Sequence, residues 1–412
     1  MNLLRNILDY LMIKKNSVIF FIFFSLYSLS LADLVKMKVV ESRMIGIKVY
    51  GKHHVLLPGY LWKSLADKEY VIYYLDNDEV SITDKTTGKV FFIKDRQNFD
   101  FFLDDKDSYF VIEKQAFVGH LLFKIGNKTI TVINNLSLRD YLYGVVTAEI
   151  GDNLGKKDLE AAKAQAVIAR TYYLYQKSKY FGDYIIENSS KNQNYLYKRK
   201  YSKYVMDAVN STSDEVLFYK NELVMAVYSA DCGGYLASSE EVWSKEIPYL
   251  KAKWDGLDFY SENCLHNKKH FYKLKFSVNE LENILKKNLF NSPKEQFRTI
   301  YIKSRTSSGR VDSLIIYSNL KKYIVEKEKI RYIFKSRRVK TGLPSRLFSI
   351  YYIYDDNKLS HVVFAGTGYG HGVGLCQHGA LFLSEQGFDY KSILSFYYPG
   401  TTLRKIFKGG RK

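Results

Sequence analysis

The sequence predicts an α+β fold: a twisted, β-rich body with a few packed helices forming a cleft, preceded by a smaller β-rich N-terminal region. Three observations predict it. Short β-branched and aromatic runs bounded by turn residues recur from residue 33 onward. Two helices are signalled between residues 137 and 177 by a cap and by apolar residues at 3.6-residue spacing. A glycine-punctuated C-terminal stretch then closes on two further helix signals. The 412 residues exceed one average domain, and 46% apolar with 25% charged residues is a globular balance with ample material for a core. Tyr (36) and Phe (26) are abundant and Pro is scarce (5). Alongside the Lys, Asn and Ile richness this reads as nucleotide bias, so the aromatics carry little functional weight.

In chain order, Arg5, Lys14 and Lys15 precede an apolar stretch from Ser17 to Leu31, and Ser30-Leu31-Ala32 supplies small residues for a signal peptidase. Residues 1–32 therefore read as a signal peptide with Asp33 as the mature start; an uncleaved anchor is the alternative. The run is shorter than the ~20 residues that span a bilayer, and no Cys at the cleavage point marks a lipoprotein. Residues 33–116 read as a small β-rich region, with runs such as Tyr70–Tyr74 and Val90–Ile93 separated by Asp76-Asn77-Asp78 and Thr87-Gly88. Residues 117–407 form the second region. Leu121–Ile125 and Ile130–Ile133 flank Gly126-Asn127-Lys128 as a hairpin. Ser137 opens a helix with Asp140 as its capping-box partner, and Gly151 ends it. A helix over about 157–177 is apolar nearly all round and hence buried. Residues 276–288 suit an amphipathic helix, and Tyr301–Val325 suits strands around Ser307-Ser308-Gly309-Arg310. Helices over 377–386 and 390–396 end the chain, the last stopped by Pro399-Gly400.

The formal charge of +19 attracts polyanions: nucleic acid, anionic lipid or an acidic wall. An exported chain rarely meets DNA, so nucleic acid is set aside, and a membrane enters only through an uncleaved N-terminal anchor. Cys232, Cys264 and Cys376 are too few for a disulfide framework; one bridge, Cys232 with Cys264, fits best on spacing. Cys232, Cys264, His266 and His270 are zinc-ligand types, but their spacing fits no standard zinc pattern. Cys376 and His378, two residues apart at a helix start, diverge and lack an orienting third group, which counts against a thiol protease.

Glu149 is the residue of chemical interest. It lies seven, four and three residues from Leu142, Val145 and Val146 and so continues their apolar stripe. A carboxylate there is expected to be partly desolvated, which favours holding a proton near neutral pH. In the buried helix, Gln165 and Arg170 need polar partners.

Four ordered blocks carry a resemblance. They are Leu138-Arg139-Asp140-Tyr141 through Glu149; Glu160-Ala161-Ala162-Lys163-Ala164-Gln165 through Tyr172; Tyr228-Ser229-Ala230-Asp231-Cys232-Gly233-Gly234-Tyr235 on to Glu241-Val242-Trp243 and Pro248-Tyr249-Leu250; and Gly370-His371-Gly372 through Gly374, Cys376-Gln377-His378-Gly379-Ala380 and Tyr397-Tyr398-Pro399-Gly400. Together they resemble the SpoIID/LytB domain, named for a sporulation protein and an amidase enhancer. Gly151 stands where the family usually has proline, and Leu236 where it commonly has threonine.

What the resemblance implies is peptidoglycan chemistry at the cell envelope. Sporulation members are similar to lytic transglycosylases acting on glycan strands poor in stem peptides, and their catalytic glutamate falls on Glu149. Such an enzyme works with one carboxyl group and needs no cofactor. Arg170, Gln165, Ser229, Gly233, Gly234, His371 and Gln377 are the expected sugar-contact positions. Internal hydrogen bonding is the competing role for Gln165 and Arg170, and loop ordering for His371. Other members look like enhancers of a cell-wall amidase, which makes a wall-binding module with an amidase partner the alternative.

Overall fold

The computed structural model describes residues 34–189, 192–257 and 263–406; the expected signal peptide, residues 1–32, lies outside them. The fold is α+β and rich in strand, as the sequence predicts. Two compact units divide the chain. The first takes residues up to Leu154 together with Tyr173–Ser211, and the second takes Gly155–Tyr172 and residues from Thr212 onward. The helices, in chain order, are α1 (Leu138–Ile150), α2 (Leu159–Lys179), α3 (Lys203–Ser211), α4 (Ser239–Trp243), α5 (Val278–Asn288), α6 (Lys329–Tyr332), α7 (Gln377–Glu385) and α8 (Tyr390–Tyr397). Among the described residues no helix is long and apolar enough to cross a membrane.

The first unit is built on two sheets. One orders Ile186–Glu187, Val35–Ser42, Thr129–Leu136, His120–Gly126, Phe99–Leu103, His53–Leu57 and Tyr60–Ser64. The other orders Gln115–Phe117, Tyr109–Ile112, Met44–Tyr50, Lys68–Tyr74, Val80–Asp84 and Val90–Ile93. Strict alternation drives the pairing: in Met44–Tyr50 only Ile45, Ile47 and Val49 are buried. The sheets meet through aromatics, Tyr70 lying edge-on to Phe101 with centroids 5.1 Å apart and its hydroxyl 2.7 Å from His53 Nε2. The expected hairpin is present, with Asn127 and Lys128 both at positive φ, the conformation a two-residue connection demands. Residues 33–116 and the start of the 117–407 stretch share one sheet, because Phe99–Leu103 pairs with His120–Gly126.

Two cores form the second unit. In one, Ala161, Ala164, Val167 and Ile168 of α2 pack with Leu217, Val227, Leu236, Leu375, Leu383 and Tyr397. Small side chains on α2 allow that close approach, which is why the helix reads as apolar nearly all round. In the other, Leu281, Ile284 and Leu285 of α5 cover Ile300, Leu314, Ile316, Val362 and Phe364. The strands there form two three-stranded sheets, Phe271–Ser277 with Lys358–Thr367 and Phe348–Asp355, and Phe297–Arg305 with Val311–Ser318 and Lys322–Glu326. Thr402–Lys405 pairs with Glu215–Tyr219.

Candidate functional site

In the first unit, α1 presents Glu149 in its last turn. Ser137 caps the helix by accepting from Asp140 N (3.0 Å), and its hydroxyl donates to Asp140 Oδ2 (2.6 Å). Leu142, Val145 and Val146 are fully buried and anchor one face, each worth about 1.5–3 kcal/mol. Glu149, on the same stripe but at the helix end, is half-buried. Its Oε1 accepts from the backbone N–H of Asn194 (2.7 Å) and from Asn194 Nδ2 (3.1 Å). Two donors from one residue fix the carboxylate's direction.

The segment carrying Asn194 is fastened along the whole of α1. Tyr141 Oη donates to Gln193 Oε1 (2.7 Å), Leu196 N donates to the Gly144 carbonyl (3.2 Å), and Lys198 pairs with Asp152 (2.7 Å). The Tyr195 ring fills the space over Gly144, where a Cβ would come within 2.2 Å of it. Only glycine lets the segment lie that close. The helix ends at Gly151, whose φ of 96° and N–H bond to Thr147 O proline cannot reproduce. This accounts for the departure from the family's proline. Asn194 lies outside all four motif blocks, and no sequence signal pointed to it.

The second unit holds all of the other expected positions. A short parallel bridge joins Tyr228–Ser229 to Leu375–Cys376, and α7 starts at once with Gln377. Gln377 Nε2 reaches Gln165 Oε1 of α2 at 3.4 Å, and both residues are buried. Gln165 Nε2 and Ser229 Oγ are buried with no hydrogen-bond partner among the described residues, the condition of groups that await a ligand or solvent. Arg170 is different. It is buried, and its Nη1 donates to the Glu215 carbonyl (2.9 Å), an internal role; burial pulls its pKa down to about 10.

Gly233 and Gly234 build a turn: Gly233 N donates to Asp231 Oδ1 (2.8 Å), and the Gly234 carbonyl accepts from Asp255 N (3.0 Å). Leu236, in place of the family's threonine, is buried in the apolar core. His371 Nδ1 accepts from Val373 N (3.0 Å), the Tyr228 backbone also hydrogen-bonds the ring, and Trp243 packs edge-on at 5.1 Å. Burial pushes its pKa down to about 4, so the ring is neutral at pH 7. These contacts hold the His371 ring in place within its loop.

Beneath the loop lies Arg310, wholly buried, donating to the carbonyls of Tyr235 (2.8 Å) and Cys232 (2.5 Å). Arg346 does the same for Val311 and Glu241 and pairs with Glu328 (3.0 Å). Glu241 accepts from the Ser307 and Ser308 hydroxyls, both at 2.6 Å. In the sequence Arg310 reads as part of the turn Ser307-Ser308-Gly309-Arg310; which way a long side chain points from a turn is not written in the turn.

The three cysteines converge. Cys232 Sγ lies 3.7 Å from Cys264 Sγ and 2.9 Å from Asp255 Oδ2, and Cys376 Sγ accepts from Cys232 N at 3.3 Å. All are buried, and the thiols are unbridged. His270 sits beside Cys264 with its Nδ1 3.1 Å from Asp231 Oδ2. Burial opposes its charge, but Asp231 and Cys264 outweigh that and raise its pKa to about 10. Burial lifts the Asp255 carboxyl to about 6. Of the four residues of zinc-ligand type named from sequence, His266 stands apart, its ring stacked on Phe382 at 5.2 Å. Cys376 and Asp255 lie with Cys232 and Cys264 instead, and Cys376, turned toward the other thiols, forms no dyad with His378.

The family model described as Stage II sporulation protein matches residues 126–219, and one described as a domain of unknown function (DUF8618) matches residues 257–374. The chain belongs to the stage II sporulation protein D family. It is 32% identical over 296 residues to an uncharacterised protein of Brachyspira hyodysenteriae, covering 71% of this chain and 74% of that one. It is also similar to the amidase enhancer of Bacillus subtilis, at 30% identity over 60% of this chain but only 38% of the enhancer. The stage II sporulation protein D of the same organism is 27% identical over 66% of this chain and 75% of that protein.

Proposed function

We propose that the protein is an exported peptidoglycan lytic transglycosylase, cleaving glycan strands poor in stem peptides, with Glu149 as its single acid/base. The observation that carries the reading is the Glu149 carboxylate, half-buried at the end of α1 and aimed by two Asn194 donors, in a chain of this family. In the reaction the protonated Glu149 gives its proton to the glycosidic oxygen as the bond to the anomeric carbon breaks. The same carboxylate then takes the proton from the sugar's own 6-hydroxyl, whose oxygen closes on the anomeric carbon. The proton returns to Glu149, water is not consumed, and the product ends in a 1,6-anhydro ring. General acid–base catalysis of this kind contributes about 10²–10⁴-fold. The +19 charge suits an anionic wall.

A second reading draws on the relative named amidase enhancer: the chain binds wall glycan and assists an amidase without cutting. Digestion of purified peptidoglycan, intact and stripped of stem peptides, separates the two. Anhydro-ended fragments from the wild type and none from Glu149→Gln, read by mass spectrometry, support the enzyme. No fragments from either protein, with wall binding retained, favours the enhancer. Equal cleavage by both removes Glu149 from the mechanism.

A further inference from the structure

We propose that Cys232, Cys264, Cys376 and Asp255 form a buried structural site for a divalent, thiophilic cation of the zinc class. The residues come from separate stretches of the second unit, yet their ligand atoms all lie within 4.8 Å of one another. The Cys232–Cys264 sulfur separation of 3.7 Å nearly equals the edge of a tetrahedron with metal–sulfur bonds of 2.3 Å, about 3.8 Å. Asp255 is wholly buried, and its side-chain hydrogen bonds come from neutral groups, the Tyr397 hydroxyl, the Asn263 amide and the Cys232 thiol. A buried carboxylate calls for a cation.

The surroundings are those of a held ligand set. Asp255 Oδ1 accepts from Tyr397 Oη (2.9 Å) and Asn263 Nδ2 (3.1 Å), leaving Oδ2 toward Cys232. The carbonyl of Cys232 accepts from Arg310, so a fixed positive charge lies beside a site that turns anionic on binding. His270, oriented by Asp231, stands at Cys264 as its outer partner, the arrangement that commonly aims a ligand. Binding releases the thiol protons and leaves three thiolates and a carboxylate on the ion. No electron transfer is involved, and the site stands whether or not Glu149 is catalytic.

Two sulfurs 3.7 Å apart are also near enough to become a disulfide with a small movement, and the test separates these states. The chain from residue 33 onward is purified without chelator, its metal content is measured by plasma mass spectrometry, and its thiols are counted in denaturant with and without reductant. About one zinc per chain is expected, with three thiols titrating once it is removed. Cobalt(II) substitution should give a thiolate-to-cobalt charge-transfer band and intense tetrahedral visible bands. Cys264→Ser should abolish them, Asp255→Asn should shift them, and His266→Ala should leave them unchanged. Should Cys264→Ser fail to fold, the wild-type spectrum and thiol count decide alone. The proposal is overturned by a chain that takes up neither metal, whether its thiols titrate freely or two of them appear only after reduction.

Discussion

Replacing Gly144 with alanine tests how the Asn194 segment is seated on α1. On helix propensity alone the change should stabilise by about 1 kcal/mol. The new Cβ would lie 2.2, 2.5 and 3.0 Å from Tyr195 Cε2, Cδ2 and Cζ, against an ordinary carbon contact of about 3.5–4.0 Å. The ring must therefore retreat by more than about 1 Å. It has little room, being 4% exposed and stacked against Phe117 and Tyr141 at 6.1 and 6.2 Å. Overpacking of this kind costs about 1–3 kcal/mol, and expelling the ring would forfeit its burial, about 3 kcal/mol. The net expectation is a loss of about 2 kcal/mol, or about 4–8 °C in melting temperature for a unit of this size. Scanning calorimetry of Gly144→Ala in the wild-type and Tyr195→Leu backgrounds gives the coupling. The penalty should largely vanish in the second background. A rise in melting temperature from Gly144→Ala alone, or an equal penalty in both backgrounds, would refute the reasoning.

Two further outcomes follow from the same geometry. Asn194→Ala removes one of Asn194's two donors to Glu149 while leaving its backbone donor. The expected result is about a tenfold fall in glycan cleavage, from a charge-assisted bond of about 1.5 kcal/mol, with an altered pH–rate profile and an unchanged melting temperature. His371 is neutral in the folded state down to about pH 4, whereas in the unfolded chain it takes up a proton near pH 6.5. Between those values the unfolded state binds more protons, so stability should fall as pH drops from 6.5 toward 4. In His371→Gln that slope should flatten, and proton NMR of the ring should show no titration above pH 5 in the wild type.

The local elements were legible because each carried several agreeing signals. Ser137, Asp140, the Leu142–Val146 stripe and Gly151 all mark one helix, and Glu149 stands out by its place on that stripe. The hairpin at Asn127 and α5, with Leu281, Ile284 and Leu285, were equally plain. What was missed depends on contacts between distant segments. The pairing of Tyr228–Ser229 with Leu375–Cys376 involves two residues a side, too few for any periodicity. Asn194 acts through its backbone as much as its side chain, and a backbone N–H has no sequence signature. The cluster of Cys232, Asp255, Cys264 and Cys376 joins separate stretches of chain, and spacing along the chain carries no standard metal pattern from which it could be read.

The interleaving of the two units has a consequence for how the chain matures. The first unit lacks its closing helix, α3, until residue 211 has been made. The second begins with part of α2 and is closed by Thr402–Lys405 pairing with a strand some 180 residues earlier. Contacts of such sequence separation form slowly, since loop closure must precede any gain from pairing. The second unit therefore stays open until residue 405 has been made. A chain that remains unfolded for that long is one that a narrow protein-conducting channel can still thread.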